Sequence, residues 1–241
     1  MKRDFADIHC HILPQVDDGS KSLEMTGNML KKAYEEGIRT IFATPHFHPV
    51  RGKNDSGSWE KAMLLVKREI AGLGLELELL PGCEILYQQD TLADLKSGKA
   101  RTLAETPYVL VEFPENTGFG MIRQGLGELR RYGYYPILAH VERYADVFSV
   151  DRVERLIDDG IYIQMNASTV LRGRGLLQGR EIRKLLKRGD IHFAGTDAHN
   201  DSTRAPVMED CAVYIEKLCG RDCAERICGK NALSVARGEK I

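Results

Sequence analysis

The chain has 241 residues, of which 43% are hydrophobic, and its 34 basic and 35 acidic side chains give a formal net charge of −1. This composition excludes a largely disordered protein, and the balanced charge argues against long nucleic acids, whose binding needs clustered Lys and Arg. The first residues lack the apolar run of a secretory signal and no segment has the roughly 20 apolar residues that span a bilayer, so we expect a cytoplasmic protein without a transmembrane segment.

Short apolar runs alternate with amphipathic stretches of helical period along the chain. Strands separated by helices predict parallel neighbours joined by right-handed crossovers. Because seven such units follow one another without a linker, we predict an α/β fold in which residues 1–241 form a single domain, a closed (βα)7-type, TIM-like barrel in preference to an open doubly wound sheet. In chain order the predicted elements are strand Phe5–His9, helix Ser22–Glu36, strand Ile38–Ala43, helix Trp59–Leu73, strand Glu76–Leu80, strand Tyr108–Glu112, helix Met121–Tyr132, strand Pro136–Ala139, helix Val150–Asp159, strand Ile161–Gln164, helix Leu176–Arg188, strand Ile191–Gly195 and a closing helix, Arg204–Leu218.

Two polar segments stand out between these elements. The loop Phe47–Ser58 is either a mobile substrate loop or an ordinary variable surface loop. The stretch Arg172–Gly189 is the one basic run, and it is either a solvated helix face or a surface that faces an acidic partner.

The six cysteines are expected to remain free thiols in a reducing compartment, in preference to a structural zinc site among the last four, Cys211, Cys219, Cys223 and Cys228. Cys10 lies between two histidines and should point to the opposite side of its strand, into packing. No cysteine is followed six residues later by arginine, so the sequence lacks the Cys-x5-Arg loop of cysteine-dependent phosphatases.

Candidate metal ligands occur at both ends of the chain. His9 and His11 are two residues apart at the end of the first strand, so their side chains leave from the same side. Asp197 and His199 repeat this spacing after the last strand. The first and last strands of a closed barrel are neighbours, so we expect the two pairs to meet.

Further candidates follow the intervening strands, at the ends where barrel enzymes place their chemistry. A lone histidine or carboxylate at such a place is usually a hydrogen-bonded or capping residue, but coincidence does not explain the recurrence. Imidazole and carboxylate ligands without thiolate favour manganese, iron or zinc. The candidates that follow the intervening strands are His46, Glu84, Glu112 and His140. The acidic turn Asp17–Asp18 can add one more ligand.

A charge count of this ligand set indicates the substrate class. Five neutral imidazoles and four carboxylates, those of Asp18, Glu84, Glu112 and Asp197, leave a positive site around three divalent ions and a neutral one around two. A positive site attracts a phosphate dianion, and clustered cations can activate water and stabilise the attacking and leaving oxygens. The pattern therefore predicts phosphoester hydrolysis.

The sequence resembles the PHP (polymerase and histidinol phosphatase) superfamily, and more narrowly its bacterial tyrosine phosphatases associated with capsule and exopolysaccharide production. The resemblance covers nearly the whole chain. It is carried by the segments DIHCHILPQVDDG, SLEM, ATPHFHP, PGCEI, VLVEFP, PILAHVERY, QMNAST and GTDAH.

This resemblance implies that the barrel is distorted and that it carries a trinuclear site, often of manganese. By position, His9, His11, Glu84 and Asp197 would bind one ion; Glu84 would bridge to a second ion held by Glu112 and His140; and Asp18, His46 and His199 would bind the third. Arg143 looks like the family's phosphate-binding arginine, whose fork of donors matches phosphoryl oxygens.

The resemblance also implies the substrate, phosphotyrosine in the tail of a bacterial tyrosine autokinase that controls capsular or exopolysaccharide synthesis. Two alternatives remain open. One is a histidinol-phosphatase-like or nucleotide-directed PHP phosphoesterase, and the other is a catalytically silent metal-binding module that docks on a kinase. The native metal and the oligomeric state are left open.

Overall fold

The computed structural model describes residues 4–48, 56–172 and 178–241. Every strand pair in it is parallel, as the alternation of strands and helices predicts. The strands are β1 (Phe5–Cys10), β2 (Ile38–Ala43), β3 (His46–Phe47), β4 (Glu78–Pro81), β5 (Glu84–Leu86), β6 (Tyr108–Glu112), β7 (Tyr135–Leu138), β8 (Tyr162–Asn166) and β9 (Phe193–Gly195). The helices are α1 (Leu23–Glu35), α2 (Ser56–Gly72), α3 (Thr91–Ser97), α4 (Phe119–Arg131), α5 (Val150–Asp158), α6 (Ala167–Arg172), α7 (Gln178–Arg188), α8 (Glu209–Cys219), α9 (Arg221–Glu225) and α10 (Asn231–Ala236).

The strands follow one another in chain order around a distorted barrel. One sheet has the order β1-β2-β4, and the other has the order β3-β5-β6-β7-β8-β9. Strand β3 continues the path of β2, and β5 continues that of β4, so the two sheets join. An isolated parallel bridge between Cys10 and Ala198 brings the first strand beside the last. The predicted TIM-like architecture is confirmed.

Local sequence explains how the elements form. At α1, the Ser22 side chain accepts a hydrogen bond from the backbone nitrogen of Met25 at 3.1 Å and so caps the helix start. Met29, Leu30 and Ala33 bury one face of this helix. Gly37, with φ of 85°, ends it in the left-handed conformation that glycine adopts without strain.

Two short strands, β3 and β5, were not predicted, and each follows a break after a predicted strand. Thr44 and Pro45 separate β2 from β3, and proline has no N–H for the ladder. Gly82 and Cys83 separate β4 from β5, and a Cβ on Gly82 would lie 2.7 Å from Leu103 Cδ2. Each interruption redirects the chain just before a candidate ligand.

Some predicted boundaries were wrong. The closing helix begins at Glu209 and not at Arg204, and it does not close the chain, because Gly220 breaks it at a φ of 90° and further helical segments follow. Helices α3 and α6 are too short to give a clear period and were missed. The predicted loop Phe47–Ser58 lies mostly outside the described residues, and its last residues, from Ser56, already belong to α2.

Cys10 is fully buried, as expected, and all six cysteines are free. Among the residues that the structure describes, no helix has the length and apolar character needed to cross a membrane.

Candidate metal centre

The pairs from the two chain ends meet at the carboxyl end of the barrel. The backbone nitrogen of Asp197 donates to His9 O at 2.8 Å, and that of His11 donates to Ala198 O at 2.9 Å. These bonds hold the His-x-His and Asp-x-His segments side by side. His9 and His11 are fully buried, and Asp197 and His199 are nearly so.

Glu84 lies at the centre of the cluster. Its Oε2 atom is 3.2 Å from His9 Nε2 and 3.3 Å from His11 Nε2. The same oxygen is 3.1 Å from His46 Nδ1, and Oε1 is 2.7 Å from His140 Nε2. A single carboxylate thus faces four imidazoles, which is the position a bridging metal ligand requires.

Four overlapping groups of side chains could each hold an ion, and three of them consist entirely of candidates from the sequence. In the first, Asp197 Oδ1 lies 3.6 Å from His9 Nε2 and 3.4 Å from His11 Nε2, and Glu84 faces the same two nitrogens. Ligands about 2.0–2.2 Å from one ion lie roughly 3.0–3.5 Å apart, so the spacing fits a cation.

The other two groups flank the first. Glu112 Oε2 lies 3.8 Å from His140 Nε2, which also contacts Glu84. On the opposite flank, Asp18 Oδ1 is 3.5 Å from His46 Nε2 and 3.6 Å from His199 Nε2. The structure therefore brings together all nine side chains that the sequence singled out: His9, His11, Asp18, His46, Glu84, Glu112, His140, Asp197 and His199.

Outer hydrogen bonds orient several imidazoles. The Nδ1 atoms of His11 and His199 lie 2.7 Å from Asp17 Oδ2 and 2.9 Å from Asp197 O, respectively. Donation from Nδ1 leaves the Nε2 lone pair facing the cluster, as metal-binding histidines require. Gly19 lets the acidic turn approach, because a Cβ there would lie 2.3 Å from His11 O.

The electrostatics of the protein alone indicate a need for positive charge. Burial opposes ionisation of Glu84, but the His9 imidazole and its neighbours hold the pKa of Glu84 well below its usual range. Burial likewise opposes protonation of His11, yet the Asp17 carboxylate raises the pKa of His11 well above normal. Glu84 Oε2 and His46 Nδ1 are buried and lie 3.1 Å apart, but neither atom makes a contact with the geometry of a hydrogen bond. Divalent cations would satisfy both the charge and these atoms, so the residues fit a metal centre.

Two turns that carry candidate ligands are strained. His140 has a φ of 34° and Asp197 a φ of 52°, both in the left-handed region that residues other than glycine rarely adopt. Gln164 Oε1 stabilises the first by accepting a hydrogen bond from the backbone nitrogen of His140 at 2.6 Å, and it lies 3.3 Å from His9 Nδ1. Asn166 Nδ2 holds the second, donating to Asp197 Oδ2 at 2.9 Å.

Two arginines flank the cluster. Arg143 Nη2 donates to Asp197 Oδ2 at 2.5 Å, and Arg204 Nη2 lies 2.9 Å from the same oxygen. Both line a groove of about 430 Å³ that adjoins Asp197. Arg143 was singled out from the sequence, whereas Arg204 was missed.

Sequence reasoning also missed several residues that support the ligands. Gln164 and Asn166 are polar residues two apart in a buried strand, and that pattern could have identified them. His48, assigned to a loop, has Nε2 3.8 Å from Glu112 Oε1. Asp17 was considered only as a ligand, but in the structure it orients His11.

Comparison with known families identifies the chain. The model of the CpsB/CapC family of capsular polysaccharide synthesis matches residues 5–237. The chain belongs to the CpsB/CapC family. The expected relationship to bacterial capsule-associated tyrosine phosphatases is thereby confirmed.

Relatives of this CpsB/CapC protein carry the names of phosphatases. The tyrosine-protein phosphatase CpsB of Streptococcus agalactiae serotype III is 30% identical, over 98% of this chain and 99% of its own. The putative tyrosine-protein phosphatase CapC of Staphylococcus aureus is 38% identical, over 82% of this chain and 78% of its own. A crystal structure from work on YwqE of Bacillus subtilis and CpsB of Streptococcus pneumoniae, described as metal-dependent tyrosine phosphatases, superposes with a TM-score of 0.89 at 30% identity, over 98% of this chain and 96% of its own.

More distant structures share only the fold. The phosphotriesterase homology protein of Escherichia coli is 9% identical and superposes with a TM-score of 0.59, over 96% of this chain and 98% of its own. It supports the barrel architecture and nothing more specific.

Proposed function

We propose that this protein is a metal-dependent phosphatase that hydrolyses phosphotyrosine in proteins. The observation that carries the proposal is the position of Glu84, whose carboxylate faces the imidazoles of His9, His11, His46 and His140 within 3.3 Å. Its relatives named tyrosine-protein phosphatases support the substrate class.

The nine clustered side chains would hold three divalent ions, which we propose to be manganese. His9, His11, Glu84 and Asp197 would hold the first, and Glu84, Glu112 and His140 the second. Asp18, His46 and His199 would hold the third. Nitrogen and oxygen donors of this kind also accept iron or zinc. Bound divalent cations supply Lewis acidity toward the phosphoryl oxygens and offset the negative charge that develops on them.

The protein itself positions the phosphoryl group. Arg143 and Arg204 both reach the Asp197 edge of the groove, where their guanidinium groups can donate to phosphoryl oxygens. In the reaction, a water oxygen forms a bond to phosphorus while the bond from phosphorus to the tyrosine oxygen breaks. The leaving phenolate takes up a proton, and inorganic phosphate remains between the arginines and the metal ligands.

The biological substrate that we propose is the phosphorylated tail of a bacterial tyrosine autokinase that controls capsular or exopolysaccharide synthesis. Membership of the CpsB/CapC family, which is described as a family of capsular polysaccharide synthesis, supports this assignment. We place the reaction in the cytoplasm, where the six thiols would remain reduced. The described chain, as one domain, would carry the complete site.

Chelation and substrate comparison test the proposal. Exhaustive chelation should abolish hydrolysis of p-nitrophenyl phosphate, and Mn²⁺ should restore it; activity that survives chelation would refute the metal-dependent mechanism. The metal-loaded enzyme should then prefer phosphotyrosine peptides over histidinol phosphate and nucleotides. A preference for either of the latter would identify a different PHP phosphoesterase, and bound metal without turnover would identify a silent module.

A further inference from the structure

The groove beside the metal centre contains a third arginine that neither the ligands nor the phosphate-binding pair accounts for. Arg172 lies at the end of α6, is exposed and lines the groove together with Arg143 and Arg204. We propose that the Arg172 side of this groove binds an acidic side chain of the substrate that flanks the phosphotyrosine. This inference rests on the proposed phosphotyrosine phosphatase function.

Arg172 differs from its two neighbours in its contacts. Arg143 and Arg204 both pair with Asp197 and so belong to the reaction centre. Within residues 4–48, 56–172 and 178–241, the ion pairs of Asp197 do not include Arg172. Arg172 therefore lines the groove without the pairing to Asp197 that fixes Arg143 and Arg204.

The groove has an excess of positive charge. Its acidic lining residues are Asp197, which two arginines neutralise, and Glu142. Glu142 Oε1 accepts a hydrogen bond from the backbone nitrogen of Asn166 at 3.0 Å, and its Oε2 is buried. The arginines thus dominate the charge offered to a ligand in the groove.

The remaining polar lining favours a carboxylate. Ser168, Thr169, Ser202 and Thr203 place hydroxyl groups around the groove. Guanidinium and hydroxyl donors together match the acceptor oxygens of Asp or Glu. A volume of about 430 Å³ falls within the roughly 300–1,000 Å³ typical of ligand sites, so a substrate side chain fits beside the phosphotyrosine.

Peptide geometry makes the two sites compatible. In an extended peptide, side chains two residues apart point the same way and lie roughly 7 Å apart. An acidic residue near the phosphotyrosine can therefore enter the same groove. This interpretation also gives a role to the first residue of the basic run Arg172–Gly189, one reading of which was a surface that faces an acidic partner.

The test uses the Mn²⁺-loaded full chain and three peptides that share one phosphotyrosine and differ only in having Glu, Gln or Lys at the flanking positions. We expect kcat/KM to be roughly three- to tenfold higher for the Glu peptide than for the Lys peptide, and the difference to shrink in high salt. Arg172→Glu should remove or invert this preference. Arg155→Glu, a matched change at an exposed arginine on α5 outside the groove, should preserve it.

Turnover of p-nitrophenyl phosphate, which has no flanking residues, should stay within about twofold in both variants. Equal hydrolysis of the three peptides by the unmodified enzyme would overturn the inference. So would an Arg172→Glu variant that hydrolyses p-nitrophenyl phosphate and all three peptides more slowly by the same factor, because that result would place Arg172 at the phosphoryl group. Hydrolysis of p-nitrophenyl phosphate without hydrolysis of any peptide would instead overturn the phosphotyrosine assignment, and the inference with it.

Discussion

The side-chain oxygen of Gln164 accepts a hydrogen bond from the backbone nitrogen of His140 at 2.6 Å, and it thereby holds a proposed metal ligand in a left-handed turn. The same side chain donates through Nε2 to Asn166 Oδ1 at 2.9 Å, and Asn166 in turn donates to Asp197. A buried pair of amides thus connects His140 and Asp197, which are candidate ligands in neighbouring groups.

Replacing this amide should weaken metal binding without unfolding the protein. Gln164→Leu leaves the buried His140 N–H without an acceptor, and support of this kind is typically worth about 10–100-fold in metal affinity. Competition with a fluorescent chelator would measure the affinity for Mn²⁺. The control is Gln124→Leu at an exposed position of α4, which should leave the affinity unchanged. Equal affinity in both variants would show that Gln164 only fills space.

Metal binding and turnover should depend far more on Glu84, at the centre of the cluster, than on Asp18 at its edge. The side chain of Glu84 is 1% exposed and faces four imidazoles, whereas that of Asp18 is 66% exposed and lies at the edge. Glu84→Gln keeps the shape but removes the charge that bridges two groups, so we expect metal loss and a fall in kcat on the order of 10³-fold. Asp18→Asn should lower kcat only roughly tenfold. Metal analysis and kinetics on both variants would check the order, and a larger loss for Asp18→Asn would contradict the bridging role.

The sequence was most informative where periodicity and strand ends coincide. His9 and His11 share one side of β1 because alternate residues in a strand do so, and Asp197 meets them because the barrel places its first and last strands together. Those rules are local or topological, so they apply to the sequence alone.

Residues outside such rules could not be placed. Arg204 reaches Asp197 because a turn folds the chain back, with the backbone nitrogen of His199 donating to Arg204 O at 2.9 Å. That turn has no period, and its arginine looks like any exposed basic residue. The short strands β3 and β5 were equally unpredicted, because two or three residues are too few to show an alternating pattern.

The two arginines on Asp197 should act on phosphate and not on metal. Arg143→Lys and Arg204→Lys keep the charge but lose the planar fork of donors, so we expect kcat/KM for p-nitrophenyl phosphate to fall by about 10²–10³-fold, with Mn²⁺ content unchanged. In the double variant, the fold-decrease in kcat/KM should be smaller than the two single fold-decreases multiplied together, because both guanidinium groups converge on Asp197 Oδ2. The control is Arg123→Lys, which alters an exposed arginine paired with Asp159. This change should leave both kcat/KM and Mn²⁺ content unaltered. Loss of metal in either groove variant would contradict a phosphate-binding role.

A histidine away from the metal centre should make stability depend on pH. Burial, reinforced by the nearby Arg226, lowers the pKa of His192 from 6.5 to about 4. The Nδ1 atom of His192 accepts a hydrogen bond from the backbone nitrogen of Ile163 at 3.1 Å, which only the neutral ring can do.

Because the folded state resists protonation, the contribution of His192 to the free energy of unfolding is complete above pH 6.5 and is lost as the pH falls from about 6.5 to about 4. The loss should reach at most about 3 kcal/mol, since the ring is partly exposed. His192→Gln retains an acceptor that does not titrate in this range. The free energy of unfolding of both proteins can be measured with urea between pH 7 and pH 4. The unmodified protein should lose more stability than His192→Gln as the pH falls, so the two curves of stability against pH should converge or cross. Parallel curves would show that His192 is protonated as easily in the folded protein as in the unfolded chain.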